Sequence, residues 1–170
     1  MENVLTELHQ NLQKLLTLHR QLLELLRRER DALVGADAAA IEDRAIEKQG
    51  VLDQIAFYDN ERRKLLGLVG TTARITADQL TLSRVAIIAQ GVQLKMGEQF
   101  RSVQQALSHI ITRIEEQGAY NRELVERSLE TLAQMKRNII GASEPSPGTY
   151  SANGQRSAQA PGARLISREV

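Results

Sequence analysis

Three histidines offer the widest scope for catalysis or metal binding in this chain, and their spacing argues against both. His9, His19 and His109 are far apart in sequence. No His-x-x-x-His or Glu-x-x-His pair stands in the arrangement that builds a metal site between bundle helices. His19 falls on an apolar line and reads as a core-edge residue. His109 is the one candidate for phosphotransfer, followed by Ile110, Ile111, Thr112 and Arg113. It lacks a neighbouring Lys-Gly to leave room around a phosphorylated ring. Paired acids at Glu29 and Asp31, Glu42-Asp43 and Glu115-Glu116 read as solvated helix faces, not as acid–base pairs. The chain has no cysteine, which removes disulfides, thiol catalysis and thiolate metal sites. Gly67, Gly70, Gly91 and Gly97 match neither a P-loop nor a dinucleotide fingerprint. The expectation is a protein that is no enzyme and carries no cofactor or metal.

Charge and composition narrow the remaining classes. The formal net charge is +1, with 22 basic and 21 acidic side chains interleaved. Nucleic-acid binders concentrate basic residues on one face. Here the densest run, Arg27, Arg28 and Arg30, is broken by Glu29 and followed by Asp31, as on a solvated helix. The segment MENVLTELHQ has no basic start and no unbroken apolar run, so it does not read as a signal peptide. No apolar stretch is long enough to span a membrane. Aromatic residues make up only 3% of the chain, so the core must be aliphatic.

The elements that would position any functional residue are helices. Leu5, Leu8, Leu12, Leu15, Leu22, Leu26 and Leu33 recur at heptad spacing, with His19 and Glu29 at polar positions on the same stripe. Leu16 and Leu23 widen it. The pattern predicts a first helix over residues 3–34, capped by Asn3 and ended by a left-handed Gly35. Asp37 should cap a second helix that folds back on the first. Its apolar rhythm runs through Ile41, Ala45, Leu52, Ile55, Leu66 and Val69, with Lys48, Asp59 and Arg62 on the same line. Gly67 and Gly70 should end it, leaving 71–75 as a linker. Thr76 and Gln79 form a capping-box pattern for a short third helix reaching about Ala89. Arg84–Ala89 also reads as a strand, but a lone strand would have no mate. A long last helix is expected from about Gly97 to Ile140, with Gly118 in its middle. Asn121, a polar residue near its apolar line, suits the setting of register.

From residue 142 the composition changes, and all three prolines of the chain lie in this tail. It is expected to be disordered, with Tyr150 and the pair Leu165-Ile166 as possible anchors. The reading is an all-α, antiparallel three- or four-helix bundle of coiled-coil-like long helices over 1–141, followed by a flexible tail over 142–170. Unequal helix lengths should leave part of the first or last helix uncovered, a natural seat for another helix.

Four segments carry a resemblance to a known family. They are LLELLRRERDAL at 22–33, GADAAAIEDRAIEKQGVLDQIAFYDNERRKLL at 35–66 with its Glu47-Lys48 pair, NRELVERSLETL at 121–132, and TYSANG at 149–154. In this order and spacing the chain resembles the FlgN family of bacterial flagellar export chaperones, over about residues 3–154. Residues 70–100 carry no family signature. The resemblance implies a cytoplasmic, non-enzymatic chaperone of the hook-associated proteins of the hook–filament junction. It would bind their terminal helices, keep them unassembled and deliver them to the flagellar export apparatus. ATP hydrolysis would belong to that apparatus.

The residues themselves suggest where such a cargo would sit. Asn121, Leu124, Val125, Leu129, Leu132 and Met135 form the expected cargo surface, and Tyr150 would anchor the tail over the cargo. Tyr120 is the expected contact with the export apparatus. A self-associating coiled-coil protein of structural or regulatory role, paired as a homodimer, would use the same stripes without cargo. No nucleic acid and no membrane insertion are expected.

Overall fold

The computed structural model describes residues 1–76 and 79–141, without the side chains of 140 and 141. Tyr150 and the rest of the expected tail lie outside the described residues. Four helices follow one another: α1 (Glu2–Val34), α2 (Ala38–Ala73), α3 (Leu82–Val92) and α4 (Leu94–Gly141). No strand occurs among the described residues, so Arg84–Ala89 is helical. Met1–Ser128 forms one compact unit and Leu129–Val170 a second.

In the first unit, side-chain contacts set the helix directions. Asn11 of α1 donates to the Tyr58 carbonyl oxygen at 3.1 Å, and Glu29 pairs with Lys48, so α1 and α2 are antiparallel. His9 packs edge-on against Phe100, with ring centroids 5.6 Å apart, while Asn121 reaches Leu26. These contacts make α4 parallel to α1. Ser83 meets Gln104 and Gln90 meets Arg101, so α3 runs antiparallel to α4. The core lies where all four helices meet. Leu5, Leu8 and Leu12 of α1, Val69 of α2, Val85 of α3 and Phe100 of α4 are essentially inaccessible there. Burial of each such side chain stabilises the fold by about 1.5–3 kcal/mol.

Several boundaries differ from the sequence expectation, each for a local reason. The Leu5 amide donates to the Met1 carbonyl oxygen, so α1 starts ahead of Asn3 and that residue is not the cap. Gly35 keeps right-handed geometry, and the left-handed residue is Ala36, with φ 51°. The Ala36 and Asp37 amides then return to the Leu33 and Ala32 carbonyls, the pairing of a Schellman turn. Asp37 caps α2 as expected, its carboxylate accepting from the Ala40 amide at 3.0 Å.

α2 does not stop at Gly67 and Gly70 but continues to Ala73, so 71–73 belong to the helix and not to a linker. Gly70 serves the turn that follows, because a Cβ there would lie 2.9 Å from the Ile75 carbonyl oxygen. Ala45 and Leu52 are exposed, whereas Val51 and Tyr58 are half-buried. The face of α2 turned to α1 is therefore rotated from the expected apolar line. Thr81, not Thr76, caps α3, accepting from the Arg84 amide at 3.3 Å. Gln93 alone connects α3 to α4, which begins at Leu94 instead of Gly97. Gly97 lies where these helices touch, and a Cβ would come within 2.9 Å of the Ala86 carbonyl oxygen. His9, which the sequence leaves off the α1 stripe, is half-buried because α4 packs on that flank.

Within the second unit, residues 129–141 continue the helical backbone of α4.

Candidate functional site

A polar layer joins three helices of the first unit. Glu29 sits on the leucine stripe of α1 at a position its neighbours make largely interior. One carboxylate oxygen pairs with the Lys48 ammonium of α2. The other accepts from the Asn121 amide of α4 at 2.9 Å. The same Asn121 nitrogen donates to the Leu26 carbonyl oxygen at 2.7 Å, and its side-chain oxygen accepts from Gln117 at 2.9 Å. Asn121 is 4% exposed. Its polar atoms are spent inside the bundle, where it sets the register of α4 against α1. Asn121 therefore lies inside the bundle and not on the exposed cargo surface that the sequence suggests. The sequence reads Glu29 as part of a solvated charge run. Its place on the heptad stripe was the signal that it points inward.

Two hollows flank this region, both between α2 and α4 with α1 as the floor. The first, about 410 Å³, has an apolar floor of Leu12 and Leu15 and walls that include Ile55, Leu107 and Ile111. His19, Asp59 and Arg62 stand at its rim. The His19 Nδ1–H donates to the Leu15 carbonyl oxygen at 2.7 Å, which fixes the ring and confirms the core-edge reading. Burial works to raise the Asp59 pKa, but hydrogen bonds and charge from Arg62 and Arg63 outweigh it and hold the group below its ordinary value. The second hollow, about 340 Å³, has the polar layer of Glu29, Lys48 and Asn121 in its lining and apolar walls of Leu33, Ile41 and Val125, with Arg122 beside them. The first is an apolar recess with a charged rim and the second combines apolar walls with buried polar groups, a lining suited to side chains of a protein partner.

Among the described residues no group of three or more His, Asp or Glu side chains could hold a metal ion. His109 is exposed on α4, far in sequence from the other two histidines.

The other expected site residues fall into separate settings. Tyr120 is half-exposed, at the mouth of a small recess with Arg27 and Arg113. Leu124 is half-buried and Val125 is 39% exposed, both in the first unit. In the second unit Leu129, Leu132 and Met135 share one broad helix face and are 55–61% exposed, with Ile139 beside them at 68%. A helix that presents such a face to water has apolar area left to bury.

No described helix is long and apolar enough to cross a membrane. A family model described as FlgN protein matches residues 1–158. No curated protein and no solved structure matches the chain.

Proposed function

Because the chain belongs to the FlgN family of flagellar export chaperones, non-enzymatic proteins of flagellum assembly, we propose that it binds hook-associated proteins in the cytoplasm and hands them to the export apparatus. The observation that carries this reading is the family match over residues 1–158, which spans every described helix. The exposed apolar face of Leu129, Leu132 and Met135 supports it, because a chaperone for helical segments needs apolar area that its own fold does not bury.

The mechanism follows from that chemistry. Terminal helices of an unassembled subunit carry apolar stripes that drive premature association. Covering such a stripe with Leu129, Leu132 and Met135 removes that drive until delivery. Leu124 and Val125 of the first unit add apolar contacts of their own. Tyr150 anchors the tail over the bound helix, since its ring covers a large area at small entropic cost. Tyr120 meets the export apparatus, where the cargo is released and the chaperone stays behind.

The test is calorimetric titration of the full chain with each purified hook-associated protein. Saturable 1:1 binding that requires the cargo's terminal helices, and that Leu132→Glu or Tyr150→Ala weakens, supports the reading. A folded chain that binds neither protein, yet forms a stable dimer, moves the assignment to a self-associating coiled-coil protein.

A further inference from the structure

α3 fills only one end of the trough that α2 and α4 leave over α1. Its first residue, Leu82, closes the larger hollow at that end. The second hollow lies farther along the same side, where Val125 of α4 stands opposite Ile41 of α2. On the α2 wall, Ile41, Leu52 and Ile55 recur at the spacing of one helix face. Ile111, Gly118 and Val125 do so on the α4 wall. Leu52, Ile111 and Val125 are each 39% exposed. The trough explains why the apolar rhythm of α2 runs through Leu52 although that residue does not face α1.

We propose that this trough seats an amphipathic helix of about 20 residues from a protein partner, lying in line with α3 as the missing part of a fourth bundle helix. From Ser108, past the Ser83–Gln104 contact with α3, to Val125 the open α4 wall is about 26 Å long at the rise of an α-helix, which a guest of about 17–20 residues covers. Continuity sets its form: α3 already occupies one end of the trough as a helix antiparallel to α4. Charge sets its flanks. Asp59 is shared between Arg62 and Arg63, which leaves one positive charge in excess at that end. Arg122 borders the far hollow and adds a positive charge there. Glu115 stands between them on the α4 wall by helical spacing. The guest helix therefore carries an apolar stripe, acidic flanks near its two ends and a basic residue midway. That this helix belongs to the cargo rests on the chaperone reading. That the trough accepts such a helix does not.

The experiment uses the full chain with a photo-crosslinking benzoylphenylalanine at Leu52, at Ile111 or, as a control on the opposite face of α2, at Phe57. The first probe is a synthetic 20-residue helix with a leucine stripe and glutamate flanks, and the second is each purified hook-associated protein. The peptide should cross-link from positions 52 and 111 but not from 57. Leu52→Glu and Ile111→Glu should each weaken its binding at least about tenfold without changing the circular dichroism. Absence of saturable peptide binding, or equal cross-linking from 57, overturns the proposal. Cross-links between two copies of the chain without peptide overturn it in favour of a self-interface. Hook-associated proteins that compete with the peptide at 52 and 111 assign the guest helix to cargo. If they bind without touching either position, that assignment falls while the chaperone reading stands. If they do not bind at all, the chaperone reading falls and the peptide alone judges the trough.

Discussion

Asn121 of α4 gives an amide proton to the Leu26 main-chain carbonyl oxygen of α1 at 2.7 Å, across 95 positions of sequence. The Leu26 carbonyl lies inside a helix, so the bond is additional to the backbone ladder. It ties two parallel helices that otherwise meet through leucines able to slide past one another. The neighbouring bond from Asn121 to Glu29 makes the tie selective for this alignment.

Replacing Asn121 by Ala should therefore cost about 2 kcal/mol, since a hydrogen bond to a charged acceptor is lost and Glu29 keeps only Lys48. Asn121→Asp should cost more at neutral pH, because a second carboxylate would face Glu29. Urea unfolding of both variants at equal salt checks the order. Equal stabilities would show that the Glu29 contact contributes nothing.

Ala36 holds a left-handed conformation that a side chain bearing Cβ adopts at a cost. Ala36→Gly should stabilise the chain by about 1 kcal/mol and raise the melting temperature by about 2–4 °C. A calorimetric scan decides it, and an unchanged or lowered melting temperature would contradict the turn geometry described here.

Two glycines of α4 should respond in opposite directions to Ala. At Gly97 a new Cβ would sit 2.7 Å from the Gln90 Cβ and 2.9 Å from the Ala86 carbonyl oxygen, so α3 and α4 must move apart. A loss of about 1–3 kcal/mol is expected. At Gly118 nothing lies within 4 Å of the built Cβ, so Ala should raise stability by about 0.5–1 kcal/mol through helix propensity. Chemical denaturation of the pair provides the comparison.

His9 supplies a pH dependence of known sign. Burial against α4 lowers its pKa below the ordinary 6.5. Above about 6.5 the ring is neutral in both folded and unfolded chains. As pH falls through 6.5 the unfolded chain takes up the proton first, and stability declines until the lowered folded value is passed. His9→Gln should flatten this decline between pH 7.5 and 5.5, where Asp59 stays ionised. Stability profiles of wild type and variant that run parallel would remove His9 as the source.

The order of the helices, the cap at Asp37 and the family could be read directly from residue types and spacing. These are local properties. Apolar residues every three or four positions dictate a helix with one wet and one dry face, and three such segments followed by TYSANG in a set order carry the FlgN likeness. Tertiary structure decided the rest. Glu29 reads as a surface charge until Lys48 and Asn121 arrive from two other helices. Leu52 reads as core until α2 turns its Val51 and Tyr58 side toward α1. Gly97 reads as a helix start until α3 crosses against it. Periodicity specifies that a face is apolar, but only the length and crossing of distant helices decide whether that face is covered, and α3 is too short to cover all of it.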